Sequence, residues 1–295
     1  MVLSPDSAAC LAEVARLSLP ARTIDEIRAR YRRLCAHFAP PRLEVASVVD
    51  GARTRLYASS DRAPVLVWFH GGRMISGDLE THDPLCRQLV QASGWRVLAV
   101  DYRLAPEFPY PAAFEDAALA MRAACSLSST VAVGGDSAGA ILAIDAARRG
   151  CAAMVLVYPM IDATLSCPSH VEFRTGPGPS SEDMRFGYDL WLPPGTDRRD
   201  PSISPLFDTN LAALPPAFVA VSGIDSLRDE GMRFSQKLSS PTFVFYEGEV
   251  HGFLTYAARF QAAGDVVARI AAFLHTSVPS FASAACSRGA TTYEL

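Results

Sequence analysis

The chain has 295 residues, of which 49% are hydrophobic and 20% are charged, a composition typical of a globular protein with a substantial core. A formal net charge of −4 and the scatter of the 27 basic residues argue against a nucleic-acid partner or an anionic membrane surface. No run of about 18 apolar residues occurs, so we expect no membrane insertion.

The cysteines indicate a reducing compartment. The chain contains seven cysteines, which are widely spaced and form no Cys-x-x-Cys pair. The odd number and this spacing argue against a metal site and against a disulfide framework. Residues 1–21 lack the basic and continuous apolar regions of a signal peptide. We therefore expect a cytoplasmic protein, and the sequence leaves a homodimer open.

The first 41 residues are predicted to be helical. Ser4-Pro5 suits a helix start, with a capping serine before a proline at the first helical position. Thr23 and Glu26 have the spacing of a capping box, and an apolar stripe at helical spacing follows them. Pro40-Pro41 ends this helix.

The chain then alternates between short apolar runs and helical stretches. The runs suit strands that are buried on both faces of a mostly parallel sheet, and they cover residues 65–69, 97–100, 131–133, 154–158, 218–221 and 243–246. Helices are predicted from Pro84 to about Ser93, from Pro111 to about Ala124 and over residues 138–149. This alternation indicates one α/β domain, over residues 1–276.

One stretch, residues 162–204, interrupts the alternation. It contains no buried strand, and its helical part carries Met184, Tyr188 and Trp191 on one face. Long excursions between strands are usually lids or binding loops, so we expect this stretch and residues 1–41 to form a helical cap. Residues 277–295 are rich in serine and alanine without periodicity and are predicted to be a flexible tail.

The strongest chemical signal is Gly135-Asp136-Ser137-Ala138-Gly139, between a predicted strand and a predicted helix. In this setting Gly-x-Ser-x-Gly forms a sharp turn that presents the serine hydroxyl above the sheet as a nucleophile. An ordinary glycine-rich turn is the competing interpretation. The strand before and the helix after favour catalysis.

A serine nucleophile needs a base and an acid that orients the base, in the order Ser, Asp or Glu, His. Of the three histidines after Ser137, only His251 follows a predicted strand by a short loop; His170 lies in the excursion and His275 at a helix end. Asp225 lies just past another strand and is our candidate acid, although capping the next helix would suit it equally well.

The oxyanion of an acyl-transfer intermediate needs preorganised N–H donors. Ala138 follows the nucleophile and is one candidate; Gly71, Gly72 and Arg73, in the loop after an earlier strand, are the others. An ordinary turn is again the alternative. His70 is expected to pin this loop by hydrogen bonds.

These motifs together resemble the hormone-sensitive-lipase-like esterases of the α/β-hydrolase superfamily. The resemblance spans nearly the whole chain except the tail and is carried, in the family's order, by residues 70–83, 101–107, 111–116, 135–139, 200–206, 225–231 and 251–253. It implies an α/β-hydrolase fold with an eight-stranded sheet and a helical cap. It also implies that Ser137, Asp225 and His251 hydrolyse a small-molecule ester without metal or cofactor.

The chain departs from this family at Arg73, where the family usually has the last glycine of His-Gly-Gly-Gly. A backbone donor tolerates arginine, but a positive φ there would cost about 1–3 kcal/mol. Our hypothesis is that Arg73 narrows the site or favours polar or anionic substrates. Met74, Tyr188, Trp191 and Phe253 are candidates for lining the substrate pocket.

Cleavage of a short-chain carboxylic ester is the favoured function. Two alternatives remain open at this point: hydrolysis of an amide, formamide, carbamate or lactone by the same triad, and a non-catalytic ligand receptor on this fold. The triad argues against the receptor, because such proteins typically lose a triad member.

Overall fold

The computed structural model describes residues 2–18, 21 and 23–278. Its eight strands form one sheet in the order β1-β2-β4-β3-β5-β6-β7-β8. They are β1 Ser47–Asp50, β2 Thr54–Ala58, β3 Val65–Phe69, β4 Arg96–Val100, β5 Val131–Asp136, β6 Met154–Val157, β7 Ala217–Ile224 and β8 Pro241–Val250. Strands β3 to β8 run parallel, whereas β2 is antiparallel to both β1 and β4.

The helices of the described part of the chain are α1 Pro5–Leu17, α2 Ile24–His37, α3 Leu79–Ser93, α4 Ala112–Leu127, α5 Gly139–Arg148, α6 Pro168–Glu172, α7 Ser181–Trp191, α8 Arg228–Lys237 and α9 Gln261–Ser277. Together with the mostly parallel sheet they confirm the predicted α/β class. None of these helices is both long and apolar enough to cross a membrane.

Both faces of the sheet are covered over β3 to β7, as the continuous apolar runs predicted. The prediction was wrong for residues 243–246 of β8, where Phe243 and Phe245 are 39% and 38% exposed, because β8 is an edge strand with a neighbouring strand on one side only. In β3, Val65, Val67 and Phe69 belong to one core, and Leu66 and Trp68 to the other, because side chains of a strand alternate between faces. Helices α4, α5 and α8 pack on the first face, and α3 and α9 on the second. The packed helices therefore hold the strands in place, and with them the residues that follow the carboxyl end of each strand.

The predicted start of α3 at Pro84 was wrong. The helix begins at Leu79, where the carboxylate of Asp78 accepts the N–H of Thr81 (2.8 Å) and Thr81 Oγ1 accepts the N–H of Asp78 (2.9 Å). This reciprocal cap satisfies donors that the first turn leaves free. Pro84 lies inside the helix at the cost of one hydrogen bond, and Gly94 ends the helix with φ of 69°, as predicted.

The helix starts predicted at the N-terminus are confirmed. Ser4 caps α1 with Pro5 at its first position, and Thr23 and Glu26 form the capping box of α2. The division into one domain, 1–276, with a cap from 1–41 and 162–204 stays a prediction. Of the predicted tail 277–295, residues 279–295 lie outside the described part of the chain.

Candidate active site

Three strands of the sheet each end immediately before one predicted triad residue. Ser137 follows β5, Asp225 follows β7 and His251 follows β8. Because parallel strands bring their carboxyl ends to one edge of the sheet, the three side chains meet although 114 residues separate Ser137 from His251. The structure thus brings together the three residues that the order of motifs had singled out.

The three side chains form a continuous hydrogen-bond chain. His251 Nδ1 lies 2.7 Å from Asp225 Oδ2, and His251 Nε2 lies 3.0 Å from Ser137 Oγ. An ionised carboxylate only accepts, so Nδ1 carries the proton, and Nε2 is left to accept the proton of Ser137. All three residues are buried. This arrangement activates a hydroxyl for nucleophilic attack.

The backbone at Ser137 is held in a conformation that L-residues rarely adopt. Its φ is 52°, and its N–H donates to Val157 O (2.9 Å) while its carbonyl accepts from Met160 N (3.0 Å). Such a left-handed residue costs about 1–3 kcal/mol, which the surrounding structure must offset. The turn lifts Oγ away from the sheet toward His251.

Asp225 also performs the capping role that we had weighed as its alternative. Its Oδ1 accepts the N–H of Leu227 (2.9 Å), just before α8, while its Oδ2 faces His251. The two roles therefore use different oxygens and reinforce each other. The backbone contact fixes the carboxylate plane and with it the orientation of the imidazole ring.

The loop after β3 lies beside Ser137 and carries three of the four predicted N–H donors, one of which is already used. The N–H of Gly71 donates to Asp136 Oδ1 (3.1 Å), so it is not available for an oxyanion. In contrast, no described residue accepts a hydrogen bond from the N–H of Gly72, Arg73 or Ala138. These three groups remain the candidates for the oxyanion hole.

Asp136 anchors this loop, a role that the sequence analysis missed. Its carboxylate also accepts from Trp68 Nε1 (3.3 Å) and lies 3.2 Å from His82 Nε2. Burial by itself would raise the pKa of Asp136, but His82 and the other partners outweigh it and lower that pKa. The pentapeptide contained the signal, because an acid beside the nucleophile in a buried turn must find donors.

His70 belongs to the support of the loop. Its ring stacks on Tyr102 with centroids 4.2 Å apart, and its Nδ1 lies 2.8 Å from Gly71 O. Burial, with a further contribution from nearby His82, lowers the pKa of His70 to about 4. The ring is therefore neutral near pH 7, which suits a group that holds the loop.

Arg73 has φ of 58°, so the departure from glycine puts a long side chain in the left-handed region. The helix α7 comes close at Gly187, where a Cβ would lie 2.8 Å from Arg73 O. The guanidinium lies 3.4 Å from Asp183 Oδ1 on the same helix. Arg73 and Ser137 line the same cavity, and the left-handed backbone of Arg73 costs about 1–3 kcal/mol.

A cavity of about 490 Å³ contains Ser137 and His251. Its lining comes from residues 71–73 of the loop after β3, which we call the oxyanion loop, and from both N-terminal helices. The segment 178–184 and residues after β8 complete it. Tyr158, whose ring packs on His251 with centroids 4.6 Å apart, is a lining residue that the sequence analysis did not single out. Both segments of the predicted cap thus contribute to the cavity.

The four residues predicted to line the substrate pocket do not line this cavity, and that prediction was wrong. Met74, Tyr188, Trp191 and Phe253 are each at most 1% exposed and belong to the core. Trp191 stacks on Phe114 with centroids 6.1 Å apart. Large apolar side chains such as Tyr188 and Trp191 gain most by burial in the core, and other residues of α7, Asp183 and Met184, reach the cavity instead.

His170, which the sequence analysis set aside as a base, lies in a separate buried cluster. Its Nδ1 accepts the N–H of Cys167 (3.2 Å), and its Nε2 lies 3.8 Å from Glu230 Oε2. Asp162, Cys167 and His170 come within 4.8 Å of one another, as metal ligands do. However, Asp162 Oδ2 already accepts from the N–H and the hydroxyl of Ser166 (3.1 and 2.9 Å), so hydrogen bonds account for this grouping.

Glu230 is expected to make the protein less stable as the pH rises. Burial, reinforced by the charge of Asp162, raises its pKa well above the ordinary 4.5, while the N–H of Ile161 donates to its Oε1 (3.2 Å). A group with a raised pKa in the folded state contributes stability below its unfolded pKa and loses that contribution as the pH rises. Glu230→Gln resembles the protonated carboxyl, so its Tm relative to wild type should increase from about pH 5 to about pH 8.

The comparison needs thermal unfolding of both proteins across this pH range. A Tm difference that stays constant with pH would mean that Glu230 does not take up a proton on folding.

Comparison with known proteins identifies α/β-hydrolases and esterases as relatives of this chain. Residues 66–255 match a family described as alpha/beta hydrolase fold. Esterase LipI of Mycobacterium tuberculosis is 36% identical over 276 residues, which cover 83% of this chain and 86% of LipI. An ethyl acetate hydrolase of Pseudomonas putida is 31% identical over 274 residues, 81% of this chain and 86% of the relative. The crystal structure of an esterase from the bacterial hormone-sensitive lipase family matches with a TM-score of 0.82 and 27% identity, over 94% of this chain and all of the other.

Proposed function

This chain is a carboxylic ester hydrolase of the α/β-hydrolase family, in its hormone-sensitive-lipase-like branch, and we propose that it cleaves short-chain esters through Ser137, His251 and Asp225. The observation that carries the proposal is the hydrogen-bond chain between these side chains, with distances of 2.7 and 3.0 Å, inside the cavity. Free backbone N–H groups next to the hydroxyl support the same chemistry.

In the first half-reaction, Ser137 Oγ attacks the ester carbonyl carbon while His251 Nε2 accepts its proton. Asp225 keeps the imidazole oriented and stabilises its positive charge, without taking the proton. The negative charge on the carbonyl oxygen is bound by the N–H groups of Ala138 and of Gly72 or Arg73. His251 then gives the proton to the leaving alkoxide, and the alcohol departs from an acyl-enzyme.

In the second half-reaction a water molecule replaces the alcohol. His251 accepts a proton from the water as it attacks the acyl carbon, and the same N–H groups bind the second oxyanion. Collapse of this intermediate returns the proton to Ser137 Oγ and releases the carboxylic acid. Each half uses the same proton acceptor and the same donors, so no further group is required.

The size and cover of the cavity favour short acyl chains. A cavity of about 490 Å³ lies at the small end of the range for ligand pockets, and cap helices line it. The ethyl acetate hydrolase, by its name, acts on an ester with a two-carbon acyl group. In a panel of aryl esters we therefore expect kcat/KM to be higher for acetate and butyrate than for decanoate, with one amide and one lactone in the panel as rival substrates.

A fluorophosphonate probe tests the nucleophile directly. We expect it to label the wild-type protein and to leave Ser137→Ala unlabelled, because the phosphonyl group bonds to an activated serine oxygen. Ser126→Ala, at an exposed serine whose hydroxyl only bonds to Arg122 O, is the matched control and should be labelled like wild type. Equal labelling of Ser137→Ala would contradict the proposal.

A further inference from the structure

Two arginine side chains line the cavity that contains Ser137. Arg30 comes from α2 and Arg73 from the loop after β3. The carboxylates in the lining are Asp136 and Asp183. Asp136 accepts hydrogen bonds from the oxyanion loop and from Trp68, and it pairs with no arginine among the described residues. Asp183 is the lining carboxylate that pairs with a guanidinium group.

Asp183 is committed to Arg73 and to its own helix. One oxygen lies 3.4 Å from Arg73 Nη1, and the other accepts hydrogen bonds from the N–H and the hydroxyl of Ser180 (2.9 and 2.7 Å). Arg30, in contrast, forms no ion pair or hydrogen bond with any described residue. Arg30 is therefore a guanidinium group of the cavity lining that has no carboxylate partner among the described residues.

The positive charge of Arg30 also affects the guanidinium group of Arg73. Burial is the main cause that lowers the pKa of Arg73; Asp183 opposes it, and the positive charge of Arg30 adds to it. Arg73 has five N–H donors, and among the described residues only Asp183 accepts from its side chain. Most of these donors thus have no acceptor among the described residues, and Arg73 lines the cavity.

Unused guanidinium donors in a partly enclosed cavity are the usual chemistry for binding a carboxylate. A guanidinium presents paired N–H groups that match the two oxygens of a carboxylate, and such bonds are stronger than neutral ones. An anion placed here would also relieve the repulsion between Arg30 and Arg73. A neutral substrate would leave both effects unused.

We propose that Arg30 and Arg73 form a carboxylate subsite, and that the preferred substrate is an ester that carries a second, free carboxylate. The inference rests on the proposed function, because the subsite lies in the same cavity as Ser137. Hydrolysis of such an ester consumes one water: the acyl C–O bond breaks, the acyl carbon gains the water oxygen, and the alcohol leaves with a proton. The free carboxylate stays on either the acid or the alcohol product.

The test compares each acid with its neutral carboxamide, which has nearly the same shape. Monomethyl glutarate and methyl 4-carbamoylbutanoate place the group on the acyl side, and 3-acetoxypropanoate and 3-acetoxypropanamide place it on the alcohol side. For wild type we expect kcat/KM of the acid to exceed that of the amide in at least one pair. Arg30→Gln should lower this ratio about tenfold, the loss expected for one charge-assisted hydrogen bond.

Arg33→Gln is the matched control. Arg33 lies three residues further along α2, is exposed and does not line the cavity, so the variant loses the same charge and should keep the wild-type ratio. Arg30 has no described partner, so its replacement leaves no group unpaired in the fold. A ratio that Arg30→Gln leaves unchanged, or that both variants lower equally, would overturn the subsite.

The outcomes also separate the two proposals. Suppose that Ser137 still cleaves the ester bond of the two carboxamide compounds, and that Arg30→Gln leaves the acid-to-amide ratio of kcat/KM unchanged. The subsite is then wrong and the esterase mechanism stands. If p-nitrophenyl acetate is cleaved but none of the four esters is, the subsite is wrong and the esterase mechanism stands. If p-nitrophenyl acetate is not cleaved, or its cleavage persists in Ser137→Ala, the proposed function itself fails, and the subsite fails with it.

Discussion

Replacing Ser137 with alanine is expected to lower kcat for a short-chain ester by about 10⁵- to 10⁶-fold, which corresponds to about 7–8 kcal/mol of transition-state stabilisation. The alanine removes the oxygen that lies 3.0 Å from His251 Nε2, so no acyl-enzyme can form. A small rate above the uncatalysed reaction should remain, because the N–H groups of Ala138 and of the Gly72 loop still bind the oxyanion.

Steady-state kinetics with p-nitrophenyl acetate measures this loss. Ser126→Ala, the exposed control, should keep the wild-type kcat, which excludes a general effect of losing a serine. The Tm of Ser137→Ala should be checked to show that the variant is folded. A kcat within about tenfold of wild type would show that Ser137 is not the nucleophile.

Gly139→Ala should destabilise the fold by more than about 4 kcal/mol, among the largest effects expected of a single methyl group. A Cβ at Gly139 would lie 2.0 Å from Phe69 O and 2.8 Å from His70 O. Both are backbone atoms of the strand end that leads into the oxyanion loop, so no side-chain rotation can relieve the overlap. Helix α5 would have to move away from β3, and Ser137 would move with it.

Gly264→Ala is the matched control for this effect. Gly264 lies in the first turns of α9 and is exposed, and a Cβ added there would have no described neighbour within 4 Å. Alanine favours helix by about 0.5–1 kcal/mol over glycine, so this variant should be slightly more stable than wild type. Urea unfolding of both variants provides the comparison, and a loss below about 1 kcal/mol in Gly139→Ala would contradict the close approach of α5 and β3.

The elements that the sequence predicted correctly are those with a strong local signal. The apolar runs of β3 and β5 to β7 are buried on both faces, and the caps of α1 and α2 use the side chains at the expected spacing. The pattern was weaker for β1, an antiparallel edge strand with exposed residues, and for β2, an antiparallel strand that begins with polar, half-buried residues. Only the family resemblance implied these two strands. The α3 start was misplaced because proline was weighed above the cap formed by Asp78 and Thr81.

The composition of the substrate cavity depends on contacts between distant segments. Tyr188 and Trp191 look like pocket residues in the sequence, yet α7 turns them toward the core and presents Asp183 and Met184 to the cavity. Arg30 lies 107 residues before Ser137 on α2. The apolar stripe of this helix predicts which face is buried, but not which residues the other face contacts. No local pattern could assign it to the site.

The sequence alone determined the order of chemistry along the chain: a serine in a sharp turn, then an acid and a histidine, each after a predicted strand. That was sufficient because parallel strands necessarily bring their carboxyl ends together. Tertiary structure alone decided which donors are free. The N–H of Gly71 donates to Asp136, whereas the N–H groups of Gly72, Arg73 and Ala138 have no acceptor among the described residues. Arg30 has no ion-pair partner among them either. Hydrogen bonding and charge balance depend on partners far away in the chain, and only the folded chain brings these partners into contact.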